Sequence, residues 1–155
     1  MSELDLGKAI ERAMADWSVR SLKNYFLASV FSIIEENQDI REWTLLFYNP
    51  QSGKTRDCFV SEKFVTLSEE ADAQKEMAKL DIKSVAIGVN EALKIAHKKF
   101  NKKIINILIS LHTAARPLWT IIFVATDVTA TSFDIDAASG SVVMEETTSL
   151  MRKEK

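Results

Sequence analysis

The stretch Thr131-Ser132-Phe133-Asp134-Ile135-Asp136, followed by Ala137-Ala138-Ser139-Gly140 and Ser141-Val142-Val143-Met144, decides how this chain reads. Polar and apolar residues alternate over the first six positions. That is the period of a strand with one face turned to a core. Ser139-Gly140 is turn chemistry, because glycine takes a positive φ at no steric cost. A return strand then starts near Val142. Two apolar runs precede this hairpin. In residues 103–112, Ile105, Ile107, Ile109 and Leu111 share one face, with Asn106, Ser110 and His112 on the other. Residues 118–126 are apolar on both faces, which predicts an interior strand. A loop over 113–117 separates the two. A helix over 91–100 comes first, started by Gly88 or Asn90 and striped by Val89, Leu93, Ala96 and Phe100, with Ala92 alongside. The last third therefore predicts an α+β fold, with helices packed on an antiparallel sheet.

Working outward, residues 43–48 predict a strand ended by Asn49-Pro50. Asn49-Pro50-Gln51-Ser52-Gly53-Lys54 is a turn, and 55–60 is the return strand. Residues 63–67 suit a third strand. Residues 68–80 are charged, with acids early and lysines late, and predict a short exposed helix; 81–85 read as extended. In residues 6–34 the apolar positions fall at helical spacing in two phases. Leu6, Ile10, Ala13, Met14 and Trp17 make one stripe; Leu22, Phe26, Val30, Ile33 and Ile34 make another. At about 100° per residue the stripes point to opposite sides of a continuous helix. A break near 16–18 resolves this, with Asp16 or Ser18 capping a second helix that runs to about residue 36 and stops at Asn37.

The two halves look alike, each a helix followed by antiparallel strands. Each also holds the frame Asn/Asp, two residues, Ser-Gly, one residue, then a β-branched residue: Asn49 to Thr55 and Asp136 to Val142. A duplicated helix-plus-meander unit and convergent turn chemistry both explain the frame. The chain divides into an N-terminal amphipathic helix (1–17), a first unit (18–80), a second unit (81–145) and a polar tail (146–155) that reads as a fraying helix.

The second unit, residues 84–144, resembles the PepSY domain. The likeness rests on Glu91-Ala92-Leu93-Lys94-Ile95-Ala96, on the Trp-led run Trp119-Thr120-Ile121-Ile122-Phe123-Val124, and on Asp136-Ala137-Ala138-Ser139-Gly140-Ser141-Val142. The resemblance implies an α+β fold, a binding or inhibitory role, with peptidases the suggested targets, and no catalytic residues. Members of that family usually sit outside the cytoplasm, and no export signal or anchor is seen here.

A chain of 155 residues suits one domain or two small units sharing a core. Its 46% hydrophobic and 27% charged residues, with four Gly and two Pro, are those of a folded globular protein rather than a disordered one. The net charge of −2 gives no reason to expect nucleic acid or an anionic membrane as partner. One cysteine, Cys58, rules out an intrachain disulfide. The acidic start, Met1-Ser2-Glu3-Leu4-Asp5, is not a secretory signal. The longest apolar runs, 25–34 and 118–125, fall short of the ~20 residues that span a bilayer. With Met1 as the natural start, the expected setting is soluble and cytoplasmic.

The chemistry-bearing residues each have a plain reading. Ser52-Gly53-Lys54-Thr55 ends like a P-loop, but Tyr48 stands where that motif needs its first Gly, and a strand follows instead of a helix. His97 and His112 have no Cys or carboxylate at zinc-ligand spacing. Cys58 sits mid-strand without a paired histidine and reads as a small core residue. Asp134 and Asp136 share a strand face, ~7 Å apart along it, and read as solvent-facing. Lys94, Lys98, Lys99, Lys102 and Lys103 cluster where a helix C-terminus favours cations. No catalytic, cofactor or metal residue is assigned.

Two functions are weighed. The first is a non-enzymatic binding or regulatory module acting on a protein or peptide, which needs no cofactor, nucleic acid or membrane. The second is an NTF2-like α+β cone with a ligand pocket lined by Tyr25, Trp43, Tyr48 and Trp119. The stripe of Leu6, Ile10, Met14 and Trp17 either folds back on the sheet or packs on a second copy, giving a homodimer.

Overall fold

The computed structural model describes residues 3–151, so residues 1–2 of the expected N-terminal segment and 152–155 of the expected tail lie outside it. The elements are α1 (Leu6–Ala15), α2 (Trp17–Arg20), β1 (Phe26–Glu35), β2 (Glu42–Asn49), β3 (Lys54–Ser61), β4 (Val65–Leu67), β5 (Ala71–Asp72), α3 (Val89–Lys98), β6 (Ile104–Ala114), β7 (Arg116–Ala125), β8 (Thr129–Asp136) and β9 (Val142–Ser149). The described residues form one nine-stranded sheet, in the order β4-β3-β2-β1-β6-β7-β8-β9, with β5 also pairing β3. Every pairing is antiparallel. This is the α+β fold expected from the last third.

Each half runs helix, then a four-stranded meander, and the two meanders join through β1 and β6. Their seam runs from Ser29 opposite His112 to Glu35 opposite Asn106. The two expected units are thus two ends of one sheet over one core. Each half anchors its helix in the same way. The Trp43 indole donates to the Leu4 carbonyl at 2.9 Å, and the Trp119 indole donates to the Ile87 carbonyl at 2.8 Å. Both carbonyls lie two residues before a helix starts. The two indoles are buried and meet with ring centroids 6.5 Å apart. Burial of that size is affordable for Trp only when its N–H finds an acceptor.

The helices use small residues to approach the sheet. Ala9 and Ala13 of α1 and Ala92 and Ala96 of α3 are fully buried over Leu45, Val60, Ile109, Ile121 and Phe133. Leu6 and Ile10 pack against the same cluster. The first apolar stripe therefore folds back on its own sheet for two of its large residues, while Met14 and Trp17 stay exposed.

Five expectations are corrected. The helix expected over 18–36 is four residues of α2 and the strand β1. Asp16 does cap α2, accepting from the Ser18 amide at 3.0 Å. A bulge between Leu27 and Ser29 puts Phe26, opposite Tyr48, on the other face from Val30 and Ile34. Those two are spaced by four, which fits a strand's period of two as well as a helix's 3.6. Their β-branched and aromatic neighbours favour the strand, and pairing on both sides secures it. The helix expected over 68–80 is absent; the segment makes β5 and then an irregular connector, because it has no apolar stripe to bury. Only Leu80 is buried, its amide donating to the Leu27 carbonyl at 2.8 Å. Residues 82–84 form a 3-10 turn rather than an extended run. The loop expected over 113–117 shrinks to a turn at Ala115, which takes φ +64°. The tail expected from 146 is strand to Ser149, paired to β8. A smaller departure concerns Ile105: a bulge between Ile104 and Asn106 turns it outward, away from Ile107, Ile109 and Leu111.

Candidate binding face

Both α1 and α3 pack on one side of the sheet, and the other side carries no helix. Cross-strand partners share a face, so the register lists what the uncovered side presents. One row runs Ile33, Leu108, Ile122, Ser132, Glu146, and Glu42, two positions from Thr44 and so on the same face, lines a hollow with Ile33. The next runs Phe59, Thr44, Phe31, Ser110, Thr120, Asp134, Met144. Antiparallel sheets with one wet face usually dress it in polar residues. Here Phe31, Ile33 and Phe59 are 39%, 56% and 41% exposed, and half-buried Leu46, Leu108 and Ile122 continue the patch.

The surface is dimpled. A hollow of about 250 Å³ lies among Phe31, Ile33, Thr44 and Phe59, with Glu42 at its edge. A second, of about 270 Å³, lies where the connector passes the start of β1, between Ser29, Leu46 and His112 below and Lys75 to Ala78 above. His112 is half-buried there. Burial pushes its pKa down, Lys75 adds to that, and Asp134 opposes it. Asp57, on the same face beside Leu46, has its carboxyl pushed up by burial. Both groups are partly stripped of water.

The residues singled out from sequence are scattered. Ser52-Gly53-Lys54-Thr55 is a hairpin turn, Gly53 at φ +70° and Lys54 paired with Asp72; a strand follows, so no helix N-terminus faces an anion there. His97 sits on α3, on the helix side, with Nδ1 against the Leu93 carbonyl and Nε2 3.2 Å from Glu36. His112 is on the other side of the sheet. Cys58 faces the core, its thiol pushed up to about 11 by burial and then by Asp16. A thiol held protonated is a poor nucleophile. Asp134 and Asp136 share the uncovered face, but Asp136 is buried rather than solvent-facing as expected, because the turn amides and Arg116 close over it, and each has its own partners. Asp134 accepts from Thr120 Oγ1 at 2.7 Å. Asp136 accepts from the Ala138 amide and from Arg116, which hold its carboxyl low. Of the lysines, Lys102 pairs with Asp127 at 2.9 Å. No three potential metal ligands cluster among the described residues.

Trp43 and Trp119, expected to line a pocket in the cone reading, are in the core with their N–H groups satisfied. Tyr48 is buried edge-on against Phe26, with centroids 5.6 Å apart. Tyr25 hydrogen-bonds Glu70 at the surface. These four side chains enclose no common cavity. The exposed Phe31 and Ile33 were missed from sequence because they lay inside the expected helix. No polar–apolar alternation marks them: Phe31, Ile33 and Glu35 face out and Val30, Ser32 and Ile34 face in, and each set mixes apolar with polar residues.

No protein-family model matches the chain, and comparison with the curated proteins gives no match. Among solved structures, the chain is similar to a crystal structure from Clostridium difficile 630 described as a "putative lipoprotein". The two share 15% identity over 94% of each chain, with a TM-score of 0.65. At that identity the likeness concerns the fold. No helix among the described residues is long and apolar enough to cross a membrane.

Proposed function

We propose that this protein is a non-enzymatic binding or regulatory module that contacts a protein or peptide through the uncovered face of its sheet. The observation that carries the reading is the contiguous exposure of Phe31, Ile33 and Phe59 around a hollow on a face no helix covers. An apolar patch left in water on one side of a sheet is a cost that a bound partner removes. The reading assigns no catalytic residue and needs no cofactor. PepSY-like kinship belongs to the same proposal. It is supported by the helix-then-four-strands order of the second half and by the Asp136 to Gly140 corner. A cytoplasmic setting also stays part of it, with cell fractionation as its check.

The N-terminal helix is the lesser contact candidate, since Leu6 and Ile10 are used on its own sheet and only Met14 and Trp17 remain outside. One experiment separates the surfaces. The wild-type chain, Ile33→Asp and Trp17→Ser are used to capture partners from source lysate after photo-crosslinking. The expected result is a band lost with Ile33→Asp and kept with Trp17→Ser. The opposite pattern moves the site, and any homodimer contact, to the N-terminal helices.

A further inference from the structure

The uncovered face is not only apolar but predominantly acidic, with Arg116 beside Asp136 and Lys75 over the His112 hollow as its nearby cations. Four successive cross-strand rows, including those from Leu46 through His112 to Asp136 and from Glu35 through Asn106 to Thr148, carry six carboxylates, of which Asp136 is buried: Glu35, Glu42, Asp57, Asp134, Asp136 and Glu146. None of the paired positions in these rows is Lys or Arg. Lysines are instead concentrated around the C-terminal end of α3, at Lys94, Lys98, Lys99, Lys102 and Lys103. A net charge of −2 thus conceals a chain with separated signs.

The acids are placed at the margins. Glu42 and Glu146, both exposed, flank the apolar stretch Ile33, Leu108 and Ile122, with Ser61 of β3 beyond Glu42. They stand on β2 and β9, five strand spacings apart, roughly 24 Å at ~4.8 Å each. Exposed Glu35 adds a third charge one row away. Asp136 already has Arg116, Asp134 has Thr120, and Asp57 is half-buried, so Glu35, Glu42 and Glu146 are the charges most available to a partner. On the opposite face the sheet is covered by amphipathic helices, α1 and α3. About 24 Å is the length of a helix of about 16 residues.

Resting on the proposed role of this face, we infer that its partner is a cationic amphipathic helix, apolar along the side that meets Phe31, Ile33 and Phe59 and basic toward Glu35, Glu42 and Glu146. The carboxylate margin disfavours an anionic lipid surface. It also disfavours a second copy face to face, which would set like charges together. Apolar contact supplies most of the affinity, and the charges set orientation and partner choice.

The test uses two synthetic helical peptides of about 18 residues on the full chain, one of Leu and Lys and one of Leu and Glu, followed by calorimetry and by methyl NMR of Ile33. The expected result is binding of the Leu/Lys peptide with shifts at Ile33. Binding should weaken about tenfold in the triple variant Glu35→Gln, Glu42→Gln, Glu146→Gln, and the Leu/Glu peptide should not bind. Equal binding of both peptides, lost in Ile33→Asp, overturns the cationic partner and leaves the face as the site. Leu/Lys binding indifferent to both the triple variant and Ile33→Asp overturns the partner and the face together. No binding of either peptide overturns the cationic helix. Concentration-dependent mass by light scattering, abolished in the triple variant, replaces it with a second copy docking its lysine end.

Discussion

Gly53 and Gly140 close hairpins of the same sequence frame, with left-handed backbones at φ +70° and +84°, and they do different work. Gly53 turns in open space, with no atom within 4 Å of where a Cβ would stand. At Gly140 a Cβ would meet Ile87 Cδ1 at 2.6 Å and Ile95 Cδ1 at 3.3 Å. That second hairpin is docked: Ala137 is fully buried, its carbonyl accepts the Ala86 and Ile87 amides at 2.9 Å, and its amide donates to Pro117. The hairpins also occupy different corners. The first joins β2 to β3, while the second joins β8 to β9, the counterpart of β3 to β4. The shared frame is therefore turn chemistry reused, and it does not mark equivalent positions. What the halves do share, the order of elements and a Trp pinned to the residue before a helix cap, leaves only single tryptophans in the sequence.

The largest expected effect tests that shared anchor. Trp43→Ala and Trp119→Ala should each destabilise by about 3–5 kcal/mol in denaturant unfolding, from lost burial and an orphaned carbonyl. Because the two rings touch, the double variant should cost less than the sum. A large loss at one tryptophan and a trivial one at the other would show that the halves are alike in outline only.

The glycines come next. Gly140→Ala should cost about 2–4 kcal/mol, combining left-handed strain with overpacking against Ile87 and Ile95. Gly53→Ala should cost about 1 kcal/mol, from backbone strain alone. Thermal melts of the two variants check the difference. Equal losses would mean that docking at the Gly140 corner adds nothing.

The smallest effect lies at the ends of the β1–β6 seam. At one end Glu35 and Asn106 meet solvent; at the other, Ser29 and His112 lie beneath the connector, which joins the halves once and so breaks their likeness. Burial lowers the His112 pKa in the folded state. Folding therefore favours the neutral ring, and the unfolded chain binds more protons once pH falls below the ordinary histidine value. Stability should be full above about pH 7 and decline as pH drops from ~6.5 toward the folded pKa. His112→Gln should flatten that decline in unfolding curves taken between pH 5 and 7.5. An unchanged slope would place the titration elsewhere.

Much of the second half was legible because each signal was local and single-valued. The alternation of Phe133 and Ile135, the Ser-Gly turn and the stripe of α3 each admit one period. The first half was misread where the signal fits two periods: Val30 and Ile34 satisfy strand and helix alike. That misreading hid Phe31 and Ile33, and with them the candidate face.

By itself the sequence determined the fold class, the hairpin at Asp136 to Val142 and the plain roles of Cys58, His97 and the Gly-Lys-Thr turn, since local periodicity and side-chain chemistry suffice for these. Only the tertiary structure decided that β1 is a strand, that the halves share one sheet, and that apolar and acidic residues from seven strands gather on its open side. Strand pairing joins residues about 80 positions apart (Val30 with Leu111), and no window of neighbouring residues contains that contact.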